Sequence, residues 1–300
     1  MHRFSTLRRD YQLWIMILPA LIVIFIFNYI PMYGIQLAFR DYDFSKGLTG
    51  GEWQGLYYFR QFIDSYLFTD LMRNTFLISF TTIIVGFPAP IILALVINQI
   101  RRKRMKQVMQ TTVYLPHFIS IIVMVGMLHV LLSPETGVVG LIMKSVGLGD
   151  INLLASTSTF IPVYVLSDIW QHCGWNSIIY LAALSTIDPQ LYDAAKMDGA
   201  SRWQTIRYVD FPALVPTIVI LFILSMGSIL STGFEKIFLM QNSLNLPVSE
   251  VIATYVYKIG IISNQFSYAS AIGLFNTLIN FVFLFAMNAI SRRVSDNSLF

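Results

Sequence analysis

The sequence predicts an all-α, polytopic membrane protein of six transmembrane helices with both termini in the cytoplasm, and three observations predict it. Of 300 residues, 56% are hydrophobic and only 12% charged, roughly half the charged share a soluble domain uses to face water; mean hydropathy is +0.65. Six stretches reach the ~20 apolar residues needed to cross a bilayer: 12–38, 72–100, 108–132, 160–185, 212–234 and 267–290. Lysine and arginine, finally, crowd into alternate connections. Arg3, Arg8 and Arg9 precede the first stretch, Arg101, Arg102, Lys103, Arg104 and Lys106 follow the second, Lys196, Arg202 and Arg207 separate the fourth from the fifth, and Arg292 and Arg293 follow the sixth. The opposite connections share only Arg40, Lys46, Arg60, Arg73, Lys144, Lys236 and Lys258. Short cytoplasmic loops retain positive charge on insertion, so the richer set is placed inside.

The first stretch runs apolar well past a signal-peptide core and lacks a small-residue cleavage site, so it is expected to remain as an anchor. The connection at 39–71 sets Tyr42, Phe44, Trp53, Tyr57, Tyr58 and Phe59 among Asp41, Asp43, Glu52 and Asp64. Such amphipathic aromatics belong at a membrane interface and also suit a protein partner or a sugar ring. The later outward loops, near Glu135 and at 241–266, are the other places for such a partner. The spans hold Pro19, Pro31, Pro88, Pro90, Pro116, Pro162 and Pro216 with Asn28, Asn98, Asn176, Asn276 and Asn280. These either bond and kink for helix packing or line a polar path. In the fourth stretch Asp168 and His172 stand four apart, on one helical face, as half of a relay or a metal pair, as pathway lining or as a subunit contact. Cys173 is the single cysteine, which excludes an intramolecular disulfide and reads as a small buried side chain.

Several chemistries are missing. The basic residues are too few and scattered for nucleic acid, despite a net charge of +4. No G-x-x-x-x-G-K-[ST], H-E-x-x-H or G-x-S-x-G motif occurs, so no nucleotide loop, zinc protease or exposed serine nucleophile is visible, and no catalytic or metal-ligating set is assigned.

The connection at 186–211 is the most patterned. Asp188 before Pro189 is an N-cap followed by proline at the first helical position. A helix to about 198 comes next, Gly199 occupies the left-handed position that ends it, and Ser201 with Gln204 spells a capping box for a second short helix. Pro212 marks the return into the bilayer. Consecutive Ala194 and Ala195 leave the first helix approachable, and Trp203 and Tyr208 add apolar surface. A protruding handle and a connector lying on the headgroups both fit this pattern.

The spacing Asp193-Ala194-Ala195-x-x-x-Gly199, nine residues, then Val209-Asp210-Phe211-Pro212 resembles the signature loop of ATP-binding-cassette importer permeases, Glu-Ala-Ala-x-x-x-Gly-x9-Ile-x-Leu-Pro. Asp, Val and Phe replace Glu, Ile and Leu. Gly174-Trp175-Asn176 and Tyr180-Leu181-Ala182-Ala183-Leu184 resemble sugar-importer permeases of the maltose-type group. Thr254-Tyr255-Val256-Tyr257-Lys258-Ile259-Gly260, Tyr268-Ala269 and Asn288-Ala289-Ile290-Ser291-Arg292-Arg293 resemble the subgroup handling complex oligosaccharides and polysaccharides.

The resemblance implies the importer-permease (MetI-like) fold as a single permease domain over 1–300 in the bacterial cytoplasmic membrane. It implies a second homologous permease, an ATPase dimer that binds ATP and Mg in place of this chain, and an extracytoplasmic solute-binding protein delivering an oligosaccharide, neutral or acidic, such as a pectin or alginate fragment. Asp193, Ala194, Ala195, Gly199 and Pro212 would couple to the ATPase. Trp175, Asn176, Asn276 and Asn280 are the expected pathway residues, the last two sharing a face by their four-residue spacing, where they would bond either sugar hydroxyls or a neighbouring helix. The competing class is an ion-coupled secondary transporter, for which Asp168 and His172 are the only intramembrane pair on offer.

Overall fold

The structure, a computed structural model, describes residues 11–48, 50–147, 152–230 and 233–294. Arg3, Arg8 and Arg9 of the charge argument lie outside these residues, as does the side chain of Arg293. The described residues form helices α1 (Tyr11–Phe39), α2 (Tyr57–Ile63), α3 (Phe68–Asn98), α4 (Lys103–Phe118), α5 (Ile121–Leu131), α6 (Val138–Ser145), α7 (Phe160–Ser185), α8 (Pro189–Met197), α9 (Arg202–Met226), α10 (Phe234–Met240), α11 (Leu246–Ser249), α12 (Ile252–Ile262) and α13 (Phe266–Val294). No strand occurs among them beyond an isolated bridge between Arg40 and Trp53.

Helices α1, α3, α9 and the Phe266–Ile290 part of α13 are long and apolar enough to cross a membrane. The third expected stretch, 108–132, is corrected: it is two helices, α4 and α5, bent by 96°. Pro116 and the extended Ile119 (ψ 127°) stop α4, and Ser120 caps α5 by accepting the Val123 N–H at 3.4 Å. The fourth stretch is α7, whose 26 residues reach about 39 Å but carry Asp168, Gln171 and His172. The fifth ends at Met226, not 234, and starts earlier, at Arg202.

Three of the four π turns among the described residues end two positions before a proline: Phe25–Tyr29 before Pro31, Thr82–Gly86 before Pro88, and Ile206–Asp210 before Pro212. Proline has no N–H for the carbonyl four residues back and its ring crowds that carbonyl. Widening the preceding turn moves the carbonyl aside, so the helix continues without breaking. The inserted residue also rotates the remainder of the helix. In α3 the buried stripe Leu71, Thr75, Ile78 would continue along a straight helix to Val85, Ile92 and Val96, all of which are exposed; Pro90, Ile91, Ala94, Leu95 and Ile97 are buried instead.

The contacts of the chain divide into two compact units, one holding the described residues up to Ser65 with Val256–Phe275, the other Tyr66–Tyr255 with the residues from Asn276. In the first, the most apolar stretch of α1 has no buried residue. The segment after α1 is tied to itself: the Asp41 N–H donates to the Glu52 carbonyl at 2.9 Å and the Gln54 N–H to that of Phe39 at 2.8 Å. In the second unit α7 is the axle. Buried Phe160, Tyr164, Ser167, Gln171, Gly174, Ser177, Tyr180 and Leu184 recur every three or four positions, the period of one helical stripe. Phe160, Tyr164 and Val165 pack with Ile78, Val125 and Ile237 at one end; Tyr180 and Leu184 pack with Ile91, Ala94 and Leu214 at the other. The Gln171 side chain donates to the Ile119 carbonyl at 2.8 Å, meeting an acceptor freed by the bend.

Inside a bilayer lipid is as apolar as leucine, so helices associate through close packing more than through expulsion of water. Gly174 supplies that closeness: a Cβ there would lie 1.9 Å from the Val113 carbonyl oxygen of α4. Both sides of this contact are backbone, so Gly174→Ala is expected to force α4 and α7 apart at a cost of about 3 kcal/mol. A thermal melt of the detergent-solubilised variant should show a clearly lowered midpoint; an unchanged one would refute this packing.

Candidate coupling loop and interior cavity

The loop at 188–212 is built by capping. The Asp188 carboxylate accepts the Gln190 N–H at 2.9 Å and starts α8 with Pro189 in its first turn. At the other end the Gly199 N–H donates to the Lys196 carbonyl (3.1 Å) and the Ala200 N–H to the Ala195 carbonyl (2.9 Å), the paired bonds of a Schellman ending, with Gly199 at φ +71°. Ser201 and Gln204 then exchange both bonds of a capping box, 3.3 and 2.7 Å. Helix α9 thus starts where the Ser–Gln spacing puts it, but it is not a second short helix. It runs unbroken through the π turn and past Pro212, so Pro212 is an internal position of a 25-residue helix and not its beginning.

Asp193 and Ala194 are exposed and Ala195 half-buried on α8. Around them Met197 is 87% exposed and Trp203 and Tyr208 are each 69% exposed, a rim of large apolar side chains beside a helix of small ones. No Cβ added at Gly199 would meet any atom within 4 Å.

Beneath the rim lies a carboxylate at a position the loop motif leaves unspecified. Asp210 is fully buried. Its Oδ1 accepts the Tyr192 hydroxyl from α8 at 2.6 Å and the Asn98 amide from the end of α3 at 3.3 Å, and its Oδ2 accepts the Gln99 amide at 2.7 Å. Lys106 of α4 adds a bond to Asn98 at 3.4 Å. Burial and then the bond to Asp210 push the Tyr192 phenol up to about 12, so it remains a donor at neutral pH. An acidic residue on the inner side of the fifth helix, opposite two amides at the end of the second, was the available signal.

Toward the other end of the unit, a cavity of about 280 Å³ is lined by Thr82, Phe87, Asp168, His172, Asn176 and Ser225, among others. The structure thus brings Asn176 together with the Asp168–His172 pair, whose Nδ1 and Oδ1 are 3.3 Å apart. Trp175 is placed beside it, stacked on His117 at 4.4 Å with 5° between the rings and 42% exposed. Asn276 and Asn280 do not line the cavity. The Asn280 Oδ1 accepts the Leu230 N–H at 2.9 Å, holding the chain after α9, and the Asn276 Oδ1 is buried without a hydrogen-bond partner.

Lys236 corrects the charge count. Placed by sequence in an outward loop, it is 3% exposed, 3.3 Å from the Asp168 Oδ1 and 3.1 Å from the Tyr164 carbonyl, with Nζ 4.7 Å from the Tyr164 ring centroid. Asp168 thus faces the cavity already paired with a buried cation. Among the described residues no group of three or more His, Cys, Asp or Glu is placed to hold a metal ion.

In the first unit Trp53 stacks on Phe39 (5.5 Å, 10°) with the Arg40 guanidinium 5.8 Å over it, and Phe44 meets Phe266 edge-on at 5.3 Å. The Tyr58 hydroxyl donates to Asp41 at 2.9 Å; burial and this bond push it up to about 12.

The Asp210 cluster makes a prediction. Asp210→Ala strands three donors, from α8 and from the end of α3, and should cost about 3 kcal/mol, Tyr192→Phe about 1 kcal/mol. The two share a bond, so the double variant should cost less than the sum; additivity would show the bond to be idle. The folded-state value of Tyr192 lies above its ordinary one of 10.0. Its contribution is therefore complete below about pH 10 and lost as pH rises through about 12, and Tyr192→Phe should reduce that alkaline loss.

Residues 86–296 match the family described as binding-protein-dependent transport system inner membrane component. The chain is 38% identical over 296 residues to Protein LplB of Bacillus subtilis (strain 168), covering 99% of this chain and 93% of that one. It is also 38% identical over 288 residues to the polygalacturonan/rhamnogalacturonan transport system permease protein YteP of the same organism, covering 96% and 90%. Among solved structures it is similar to a chain of a bacterial ABC transporter involved in the import of the acidic polysaccharide alginate, with TM-score 0.89, 38% identity, and 98% and 100% of the two chains covered. It is equally similar, with TM-score 0.89, 37% identity and full coverage of both chains, to a chain of a bacterial alginate ABC transporter in complex with an alginate pentasaccharide-bound periplasmic protein. On sequence and fold together, the chain belongs to the inner membrane components of binding-protein-dependent transport systems.

Proposed function

We propose that this chain, a single permease domain with its coupling loop at 186–211, forms with a second permease the membrane pathway for an oligosaccharide derived from an acidic polysaccharide. A solute-binding protein delivers the sugar outside, and a separate ATPase dimer, holding ATP and Mg, drives the cycle. The observation that carries this reading is the loop: exposed Asp193 and Ala194 with half-buried Ala195, ended by Gly199 and rimmed by Met197, Trp203 and Tyr208, stand on the buried Asp210 cluster. A handle of that kind converts a partner's preference for one of two states into movement of the helices it is anchored to. The acidic substrate is supported by what the similar proteins carry, polygalacturonan, rhamnogalacturonan and alginate.

On the pathway side, Asn176 offers an amide to the cavity and Trp175 an exposed ring face to a sugar. Asn276 joins the pathway only if its unpaired Oδ1 faces it in another state of the cycle, and Asn280 serves as a tie. The aromatic group around Trp53 and Phe44 is the landing surface for the binding protein.

The test is reconstitution of the assembled transporter in vesicles with its binding protein. ATP-dependent uptake of a uronate oligosaccharide, with a neutral oligosaccharide of equal length transported poorly, is expected. Preference for the neutral sugar would overturn the substrate class, and uptake driven by a proton gradient without ATP would overturn the transporter class.

Gly199 separates docking from folding. Because its Cβ position is open, Gly199→Ala and Gly199→Trp should each cost the permease only the left-handed backbone penalty, about 1 kcal/mol. In the assembled transporter Gly199→Trp should lower uptake by roughly tenfold, a docking loss near 1.4 kcal/mol, while Gly199→Ala stays close to the parent. Equal uptake by both variants would remove the coupling role from this position.

A further inference from the structure

Between the end of α3, the start of α4 and the start of α9 lies an open groove of about 650 Å³. Its lining has two characters. Val96, Ile100, Met105 and Ile206 make an apolar floor, and Arg101, Arg102 and Arg202 stand at it with Trp203 alongside. All three arginines are exposed, and none has an ion-pair partner among the described residues. The acidic group behind the floor is Asp210, whose charge is already met by Tyr192, Asn98 and Gln99. The groove is thus cationic and unneutralised above and apolar beneath.

We propose that the groove holds the headgroup of an anionic phospholipid, with its phosphodiester among the three arginines and the upper acyl chain along Val96, Ile100 and Met105. Charge complementarity selects an anion, and the apolar floor selects one attached to a hydrocarbon chain over a free phosphate. The location agrees. Val96 belongs to the last turn of a membrane-crossing helix, and the run Arg101–Lys106 comes directly after it, where basic residues meet the headgroups. Arginine's planar fork pairs with two phosphate oxygens at once, so two or three of them on separate segments make a bridge. The bridge would join the α3–α4 connection, which supplies Arg101 and Arg102, to the first turn of α9, which supplies Arg202.

The site has a direct line to the loop described above. Gln99 lines the groove and also donates to the Asp210 Oδ2 at 2.7 Å. A lipid seated there contacts the residue that secures the coupling loop, and its presence would stiffen the same joint.

The test uses the transporter assembled with its co-purifying subunits. Native mass spectrometry should detect phosphatidylglycerol retained by the parent and lost from R101Q/R102Q/R202Q, each arginine weakening retention by roughly fivefold, while K144Q on α6 retains it. Where the triple variant does not assemble, R202Q alone, outside the basic run, should give the single-site loss. Equal retention by parent and arginine variants would overturn the site. So would displacement of the retained lipid by inorganic phosphate, which would make it a simple anion site, or an arginine effect confined to loss of the ATPase, which would make the groove a protein contact. A second readout is transport: uptake by the parent should rise when phosphatidylglycerol is added to phosphatidylcholine vesicles, and R202Q should lose that rise. A parent indifferent to the lipid would refute the proposal.

Discussion

Asp210 is buried where water does not reach, and an ionised carboxylate in such a place survives only when its oxygens are bonded on every side. The donors come from elements far apart in sequence: Tyr192 on α8, Asn98 at the end of α3 and Gln99 just beyond it. The loop therefore cannot shift without dragging α3 and α9 or breaking bonds to a buried charge. Much else about this end of the molecule depends on that constraint. The Schellman ending at Gly199 and the Ser201–Gln204 box fix the angle between α8 and α9, so that Tyr192 arrives over Asp210 while the small residues of α8 and the apolar rim remain on the outside.

A second ion group, buried Lys236 with the half-buried Asp168 in the first half of α7, works differently. There a cation from the segment after α9 reaches back to the fourth expected span, and a half-exposed His172 completes the group at the cavity wall. Burying the Lys236 ammonium is costly without a partner, and the pair specifies which helix the post-α9 segment meets. The chain around the end of α7 is thus organised by a carboxylate and neutral donors, and the cavity wall by a carboxylate and a cation.

Much of this was legible in the sequence. Six apolar stretches each correspond to helix, and the caps at Asp188, Gly199 and Ser201 do what their residue types require, because capping is decided by neighbours within four positions. The bend in the third stretch was not legible, since α5 is apolar all round and its composition reads as a continuation of α4. Nor was the continuity of α9: Pro212 reads as a start because a local rule cannot see the π turn that accommodates it. Lys236 and Asp210 were missed for a shared reason. The partners of each lie at least 18 residues away along the chain, and a charge looks solvated until the fold shows what it faces. The Asn276 and Asn280 pair shares a face as its spacing implies, yet only the tertiary contact with Leu230 gives Asn280 a task.

The widened turns before Pro31, Pro88 and Pro212 have a consequence for how such a chain can change over time. Each stores one residue beyond what an α-helix needs, and one residue is worth about 100° of helical phase. Loss of a single residue within 82–86 would close the wide turn to an ordinary one, and because the residue lost is the extra one, Ile91, Ala94 and Leu95 would keep facing the protein interior while Pro88 would crowd the carbonyl four positions before it. The turns are therefore slack set into otherwise rigid rods, able to absorb a one-residue change while both halves of a helix keep their contacts.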